Sequence, residues 1–324
     1  MNTKNKKIKL LEEKYMLIGQ NMEDYLDGLL YANPLHYWNY THVDTLLSLQ
    51  HPKTDFPDEV VFIIYHQITE LYFKLVLHEM EQIANNGKKI SPSGQDMGWN
   101  KKIDVNFFIE RINRINRYFD ALIQSFDIMV DGMEKKQFLK FRMSLLPGSG
   151  FQSLQYRLIE IASTDLINLS KNKRKKASLG SLVNSFYWKH GARDLSTGKS
   201  TLMLENFFGR YKSSFLKQAK EYETKNIYKK YLSLNKRDKE NASLIEQLKQ
   251  LDLNVNVNWP LVHYKSAVKY LQKSPKEINA TGGTNWKKYL PPRFQKVIFF
   301  PEIWNKKEIK DWGKSGIVNL LKDS

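Results

Sequence analysis

Residues 58–87 read DEVVFIIYHQITELYFKLVLHEMEQIANNG, with apolar side chains around most of the circumference of a 3.6-residue period. A helix of that kind has little polar face for water and must be packed among others. Asp58 and Glu59 follow Phe56-Pro57 at its start, where carboxylates suit the helix dipole, and Asn85-Asn86-Gly87 stop it. The same period recurs over 105–130, with Phe108, Ile112, Ile115, Phe119, Leu122 and Phe126 on one face. Further helices are expected over 135–146, ending at Pro147-Gly148, over the run QSLQYRLIEIASTDLINLS, and over 201–219 and 242–251. Another should start at Trp259-Pro260, with proline in a first turn, and run to 273, and a short one should cover 306–314. Strand patterns are scarce. The expected class is all-α, one helical domain over 1–324, with 171–200 as a long basic loop or small excursion punctuated by Gly180, Gly191 and Gly198.

A chain of 324 residues with 41% apolar residues can bury a large core. The absence of cysteine excludes disulfides, thiolate zinc and iron–sulfur sites, and a thiolate haem ligand. The net charge of +17 raises the question of nucleic acid, but the lysines are dispersed. The one dense cluster is Lys171-Asn172-Lys173-Arg174-Lys175-Lys176, and no nucleic-acid motif accompanies it. A solvated surface and no nucleic-acid partner are expected. The N-terminus lacks an apolar signal core, and no uncharged run is long enough to cross a bilayer, so a cytoplasmic protein without a membrane is expected.

Four features could carry chemistry. His66 lies in the middle of the most apolar helix, one turn after Phe62; its nitrogens need partners, whether a backbone carbonyl or a ligand. His263 lies one turn into a helix, where a lone imidazole can bind haem iron or simply fill core or surface. Arg142 shares a helical face with Phe138 and Leu145, and its planar fork calls for an anion: a substrate carboxylate or an internal carboxylate such as Glu160. Thr281-Gly282-Gly283 is a turn that allows close backbone approach. HExxH, P-loop, GxSxG and dinucleotide motifs are absent.

In order along the chain, YWNYTHVDTLLSLQHP (37–52), DEVVFIIYHQITELYFKLVLHE (58–79), FRMSLLPGSGFQSLQYRLIE (141–160), WPLVH (259–263) and TGG (281–283) resemble the tryptophan 2,3-dioxygenase family. The resemblance implies a helical haem-binding domain that opens the indole ring of L-tryptophan with O2 to give N-formylkynurenine, using one heme b per subunit in its Fe(II) form. It implies His263 as the iron ligand, with Phe138, Ser149, Gly150 and Trp259 at the haem. It implies His66 at the indole N–H, Phe62 and Leu145 about the ring, Arg142 on the carboxylate, and Thr281 and Gly282 at the ammonium. Tyr37 and Tyr40 are implied to reach a neighbouring subunit of a homotetramer, a dimer of dimers, through an exchanged segment 1–55, with 165–255 as a less regular cap. The alternative reading is a haem mono-oxygenase acting on a substituted indole. Phe138, Thr41, Tyr72 and Pro260 depart from the family pattern, where tyrosine, leucine, tryptophan and arginine are usual.

Overall fold

The computed structural model describes residues 3–31, 36–145, 152–171, 174, 176–190, 199–271 and 295–313. The chain divides into two compact units, Met1–His51 and Pro52–Ser324. The first contains α1 (Thr3–Leu17), α2 (Met22–Tyr31), α3 (Tyr37–Thr41) and α4 (Val43–Leu47). Helices α1 and α2 pack together, with the Tyr15 and Tyr25 rings 4.6 Å apart. His42, at a left-handed φ of 50°, turns the chain between α3 and α4. Among the described residues of this unit, Met22 is the one buried hydrophobic side chain.

The second unit is built around α5 (Asp58–Ala84), whose extent is the one its sequence predicts. Asn86 and Gly87, both at positive φ, end the run into a short antiparallel hairpin of β1 (Lys88–Ile90) and β2 (Asp96–Trp99). A Cβ at Gly87 would stand 2.9 Å from the Phe107 ring, so glycine serves there for space as well as for φ. By length and apolarity α5 could span a membrane. In the fold one face packs on α6 (Val105–Ser125) and carries buried Glu59 and Glu79, while Ile64, Ile68, Leu71 and Leu75 on another face are exposed, so the packing expected around the circumference is met on one side only. Arg111 and Arg114 meet Glu79 at 3.2 and 2.8 Å. The apolar face of α6 predicted from its periodicity is fully buried, from Phe108 to Leu122.

The expected helix over 105–130 is interrupted at Phe126 and continues as α7 (Asp127–Asp131). The expected helix over 135–146 is shorter: α8 (Lys135–Phe141) gives way to a 3-10 turn, Arg142–Leu145. Helix α9 (Leu154–Ser163) stops at extended Thr164, before α10 (Leu166–Leu169). The expected loop at 171–200 contains α11 (Leu179–Asn184) and a 3-10 turn, Tyr187–His190, because Val183, Phe186 and Trp188 are buried against α12 (Leu202–Glu221). Further along, α13 (Ile227–Ser233), α14 (Lys236–Lys239) and α15 (Ala242–Leu253) follow, each opened by an asparagine cap.

The largest departure from expectation concerns Trp259-Pro260. No new helix begins there. Helix α15 passes through a π-helical turn, Asn254–Asn258, directly into α16 (Trp259–Leu271). The final described helix, α17 (Lys306–Lys310), has an Asn305–Glu308 capping box and is shorter than expected. Asp252, fully buried at the end of α15, accepts from the Phe299 and Phe300 amides, the Trp304 indole and the Asn256 amide. Burial pushes its carboxyl up to about 6 against the pull of those four donors.

Candidate active site

Helix α5 supplies Phe62 and His66, one turn apart. His66 Nδ1 lies 2.7 Å from the Phe62 carbonyl oxygen. A carbonyl only accepts, so Nδ1 carries the proton, and in the neutral ring Nε2 keeps its lone pair. The Phe62 ring tilts over the imidazole at 4.1 Å. Burial lowers the His66 pKa, opposed by the Phe62 carbonyl and by Glu70.

Helix α16 repeats the arrangement. His263 Nδ1 donates to the Trp259 carbonyl at 2.8 Å, one turn earlier, which leaves Nε2 as a free lone pair. The rings of Trp259 and Phe126 flank the imidazole, each with its centroid at 4.5 Å. Burial pushes the His263 pKa down to about 4, opposed by the Trp259 carbonyl and reinforced by His66. The two imidazoles therefore feel each other's charge. They are surrounded by protein on most sides yet keep some accessible surface, as side chains lining a cleft do. Tyr65 and Phe126 bridge them, edge to face at 5.8 Å, with Tyr65 also edge-on to His66 at 6.4 Å.

The other side of Phe62 meets Phe141 at 5.8 Å and Phe138 at 6.4 Å. Arg142 follows Phe141 directly, at the point where α8 tightens into the 3-10 turn, and is buried. Burial lowers the pKa of its guanidinium. The internal ion pair considered from sequence is made by another arginine: Glu160 is held by Arg157 at 3.0 Å and by the Tyr187 hydroxyl. Leu145, at the end of the turn, is half-buried against the core.

The structure thus gathers Phe62, His66 and Phe138 by ring contact on one side, and Trp259 and His263 on the other. Trp259 is mainly a core residue, 5.8 Å from Phe73 and 5.4 Å from Phe126, as well as the neighbour of His263. Tyr37 and Tyr40 are exposed members of the N-terminal unit. Ser149, Gly150, Thr281 and Gly282 lie outside the described residues.

Sequence reasoning missed the braces. The polar start of α9 is a set of fasteners: Ser153 caps the helix through the Tyr156 amide, and Gln155 bonds the Glu70 carbonyl at 2.7 Å and its carboxylate at 2.8 Å. The Tyr156 hydroxyl bonds the Val255 carbonyl at 2.9 Å. Adjacent residues of α9 therefore fasten the His66 helix and the His263 helix. The signal for the second fastening was the run Asn254-Val255-Asn256-Val257-Asn258, whose period of two suits neither a helix face nor a loop.

A lone imidazole with a neutral, outward Nε2 is a donor suited to a haem iron. Among the described residues, no group of three or more histidine, aspartate or glutamate side chains is placed to hold a bare metal ion. Residues 29–182 match the family described as Tryptophan 2,3-dioxygenase. The chain is 38% identical over 130 residues to a tryptophan 2,3-dioxygenase of Ruegeria sp. (strain TM1040), covering 40% of this chain and 42% of the relative. With the enzyme of that name from Bdellovibrio bacteriovorus it shares 37% over 132 residues, covering 39% and 34%. With that of Bacillus anthracis it shares 35% over 128 residues, covering 39% and 40%. The chain thus spans 34–42% of the length of these relatives.

Proposed function

From the premise that residues 29–182 are related to the tryptophan 2,3-dioxygenase family, we propose that this protein is a haem-dependent oxygenase that cleaves the indole 2,3 bond of L-tryptophan with O2, yielding N-formylkynurenine. The observation that carries the reading is the pair of half-buried imidazoles, each with Nδ1 committed to the carbonyl one turn earlier and Nε2 left available. His263 would hold the iron of a heme b through Nε2; burial keeps the imidazole neutral, as a ligand must be, in the physiological range. Bound haem supplies the oxygen chemistry that side chains cannot.

The chain's own residues bind and orient the substrate. His66 Nε2 accepts the indole N–H and so fixes which edge of the ring faces inward. Phe62, already against His66, packs on the indole face. Arg142 receives the substrate carboxylate in a forked contact that orients the amino-acid end. Burial strengthens that contact, because water competes little for the guanidinium. Thr281 and Gly282 take the ammonium. Tyr37 and Tyr40, exposed on the N-terminal unit, complete a neighbouring subunit's site in a homotetramer. No nucleic acid or membrane takes part, and the compartment is the cytoplasm.

The test is to give the reduced, haem-loaded protein tryptophan and air. A product heavier by two oxygen atoms, with the ring opened, supports the reading. Gain of one oxygen without opening assigns mono-oxygenation instead, and absence of haem uptake refutes both. In Arg142→Lys, kcat/KM for tryptophan should fall about 10–100-fold, since a charged hydrogen bond contributes ~1.5–3 kcal/mol and the forked geometry is lost. Unchanged kinetics would remove Arg142 from the site.

A further inference from the structure

The π turn ahead of His263 is a built feature with an identifiable function. In an α-helix each residue advances the side-chain direction by about 100°. A π turn accommodates one extra residue, so everything after it points about one residue's rotation away from where an unbroken α-helix of the same sequence would aim it. His263 lies five residues beyond Asn258, the last residue of that turn. Its direction, and hence its nearness to His66, depends on whether the turn is π or α.

Four sets of interactions hold the turn open. The Trp259 amide bonds the Asn254 carbonyl, five residues back. The Asn254 side chain is fully buried: its amide nitrogen donates to Asp120 of α6 at 3.0 Å, and its oxygen accepts from Gln250 at 3.0 Å and Asn258 at 2.9 Å. Pro260 has no amide hydrogen to offer Val255, five residues before it, and the Val255 carbonyl takes the Tyr156 hydroxyl instead. Asn256 is tied to Asp252 at 2.8 Å. A buried asparagine satisfied on both oxygen and nitrogen is costly to reproduce in any other backbone register.

We propose that the π turn Asn254–Asn258 is the element that sets the rotational direction of His263, and that Asn254 and Tyr156 are positioning residues which hold it open. The inference rests on the reading of His263 as an iron ligand only in its functional consequence; the geometric claim stands apart from it.

The experiment compares wild type, Asn254→Leu, and Asn254→Leu combined with deletion of Asn258. Removing Asn258 takes out the extra residue, so the Trp259 amide reaches the same Asn254 carbonyl through an ordinary four-residue bond. The first readout is independent of haem: NMR cross-relaxation between the His263 and Phe126 rings, 4.5 Å apart in the native fold. It should be strong in wild type, lost in Asn254→Leu and restored by the deletion. The second is haem titration followed by the Soret band and the ferrous axial-ligand signature. Affinity should fall ~10–100-fold in Asn254→Leu, as for loss of an outer-shell support, and recover on deletion. Tyr156→Phe should move both readouts in the same direction by less. If Asn254→Leu folds and keeps the His263–Phe126 contact, the proposal is overturned. If Asn254→Leu does not fold and the deletion does not rescue it, the register argument is overturned as well. If wild type binds no haem while the ring contacts follow the predicted pattern, the functional reading fails and the positioning claim survives.

Discussion

Helices α5 and α15–α16 present their histidines by the same local device and reach it by different routes. In each, an aromatic residue one turn earlier gives its carbonyl to Nδ1 and lays its ring against the imidazole. In α5 the helix is regular for 27 residues, and the direction of His66 follows from that regular spacing along the buried face, with Gln155 of α9 fastening the helix at Glu70. In α15–α16 the direction follows from a local irregularity, held by side chains from α6 and α9. A regular helix needs only its apolar stripe to aim a residue. An irregular one needs partners, and those partners become part of the site.

The comparison can be broken at its strongest point first. His263→Ala should abolish stoichiometric haem uptake, whereas His66→Ala should retain haem and lose turnover; equal loss of haem in both would end the division of labour. Next are the two aromatic neighbours. Trp259→Ala should lower unfolding free energy by ~3–5 kcal/mol, because the indole is buried among Phe73 and Phe126, whereas half-buried Phe62 replaced by alanine should lose about 2 kcal/mol or less and chiefly raise KM. Urea midpoints decide this.

A smaller effect is expected with pH. The folded His263 pKa of about 4 lies below the 6.5 of an unperturbed histidine. Between those values the unfolded chain binds a proton that the folded chain refuses. The His263 contribution to stability without haem should therefore be level above pH 6.5 and be lost as pH drops toward 4, by at most about 1.4 kcal/mol per unit, while Asp252, raised to about 6, acts in the opposite direction over the lower part of that window. Denaturation at pH 7 and pH 5 should show that slope reduced in His263→Gln. His66, lowered in the same direction, contributes with the same sign. The smallest change is Gln155→Leu, which removes the fastening to Glu70 and should cost about 1 kcal/mol.

The legibility of the chain follows the same division. The extent of α5, the buried face of α6 and the all-α class were readable because apolar periodicity over many residues has one interpretation. Trp259-Pro260 resembles a helix start because proline at that place usually marks one; the hydroxyl that substitutes for its missing amide comes from Tyr156, about a hundred positions away, and the one local trace is the two-residue period of 254–258. The loop expected at 171–200 contains a helix because Trp188 and Phe186 have a partner in α12, again a distant fact. Among the candidate site residues, the two histidines and Arg142 stand out in the sequence as polar groups in apolar company. The roles of Gln155, Tyr156 and Asn254 could not be read there, since each acts through a residue that only the fold brings near, even though the odd period of 254–258 marks the place.

The clamp on Asp252 has a consequence for how the chain matures. Its amide donors Phe299 and Phe300 emerge from the ribosome well after α15 and α16 have been made. Until they arrive, the Asp252 carboxylate has only the Asn256 amide of its four donors, and burying it at that stage would carry the cost of an underpaired charge. Vectorial synthesis thus leaves the last fastening of α15 to the C-terminal end of the chain.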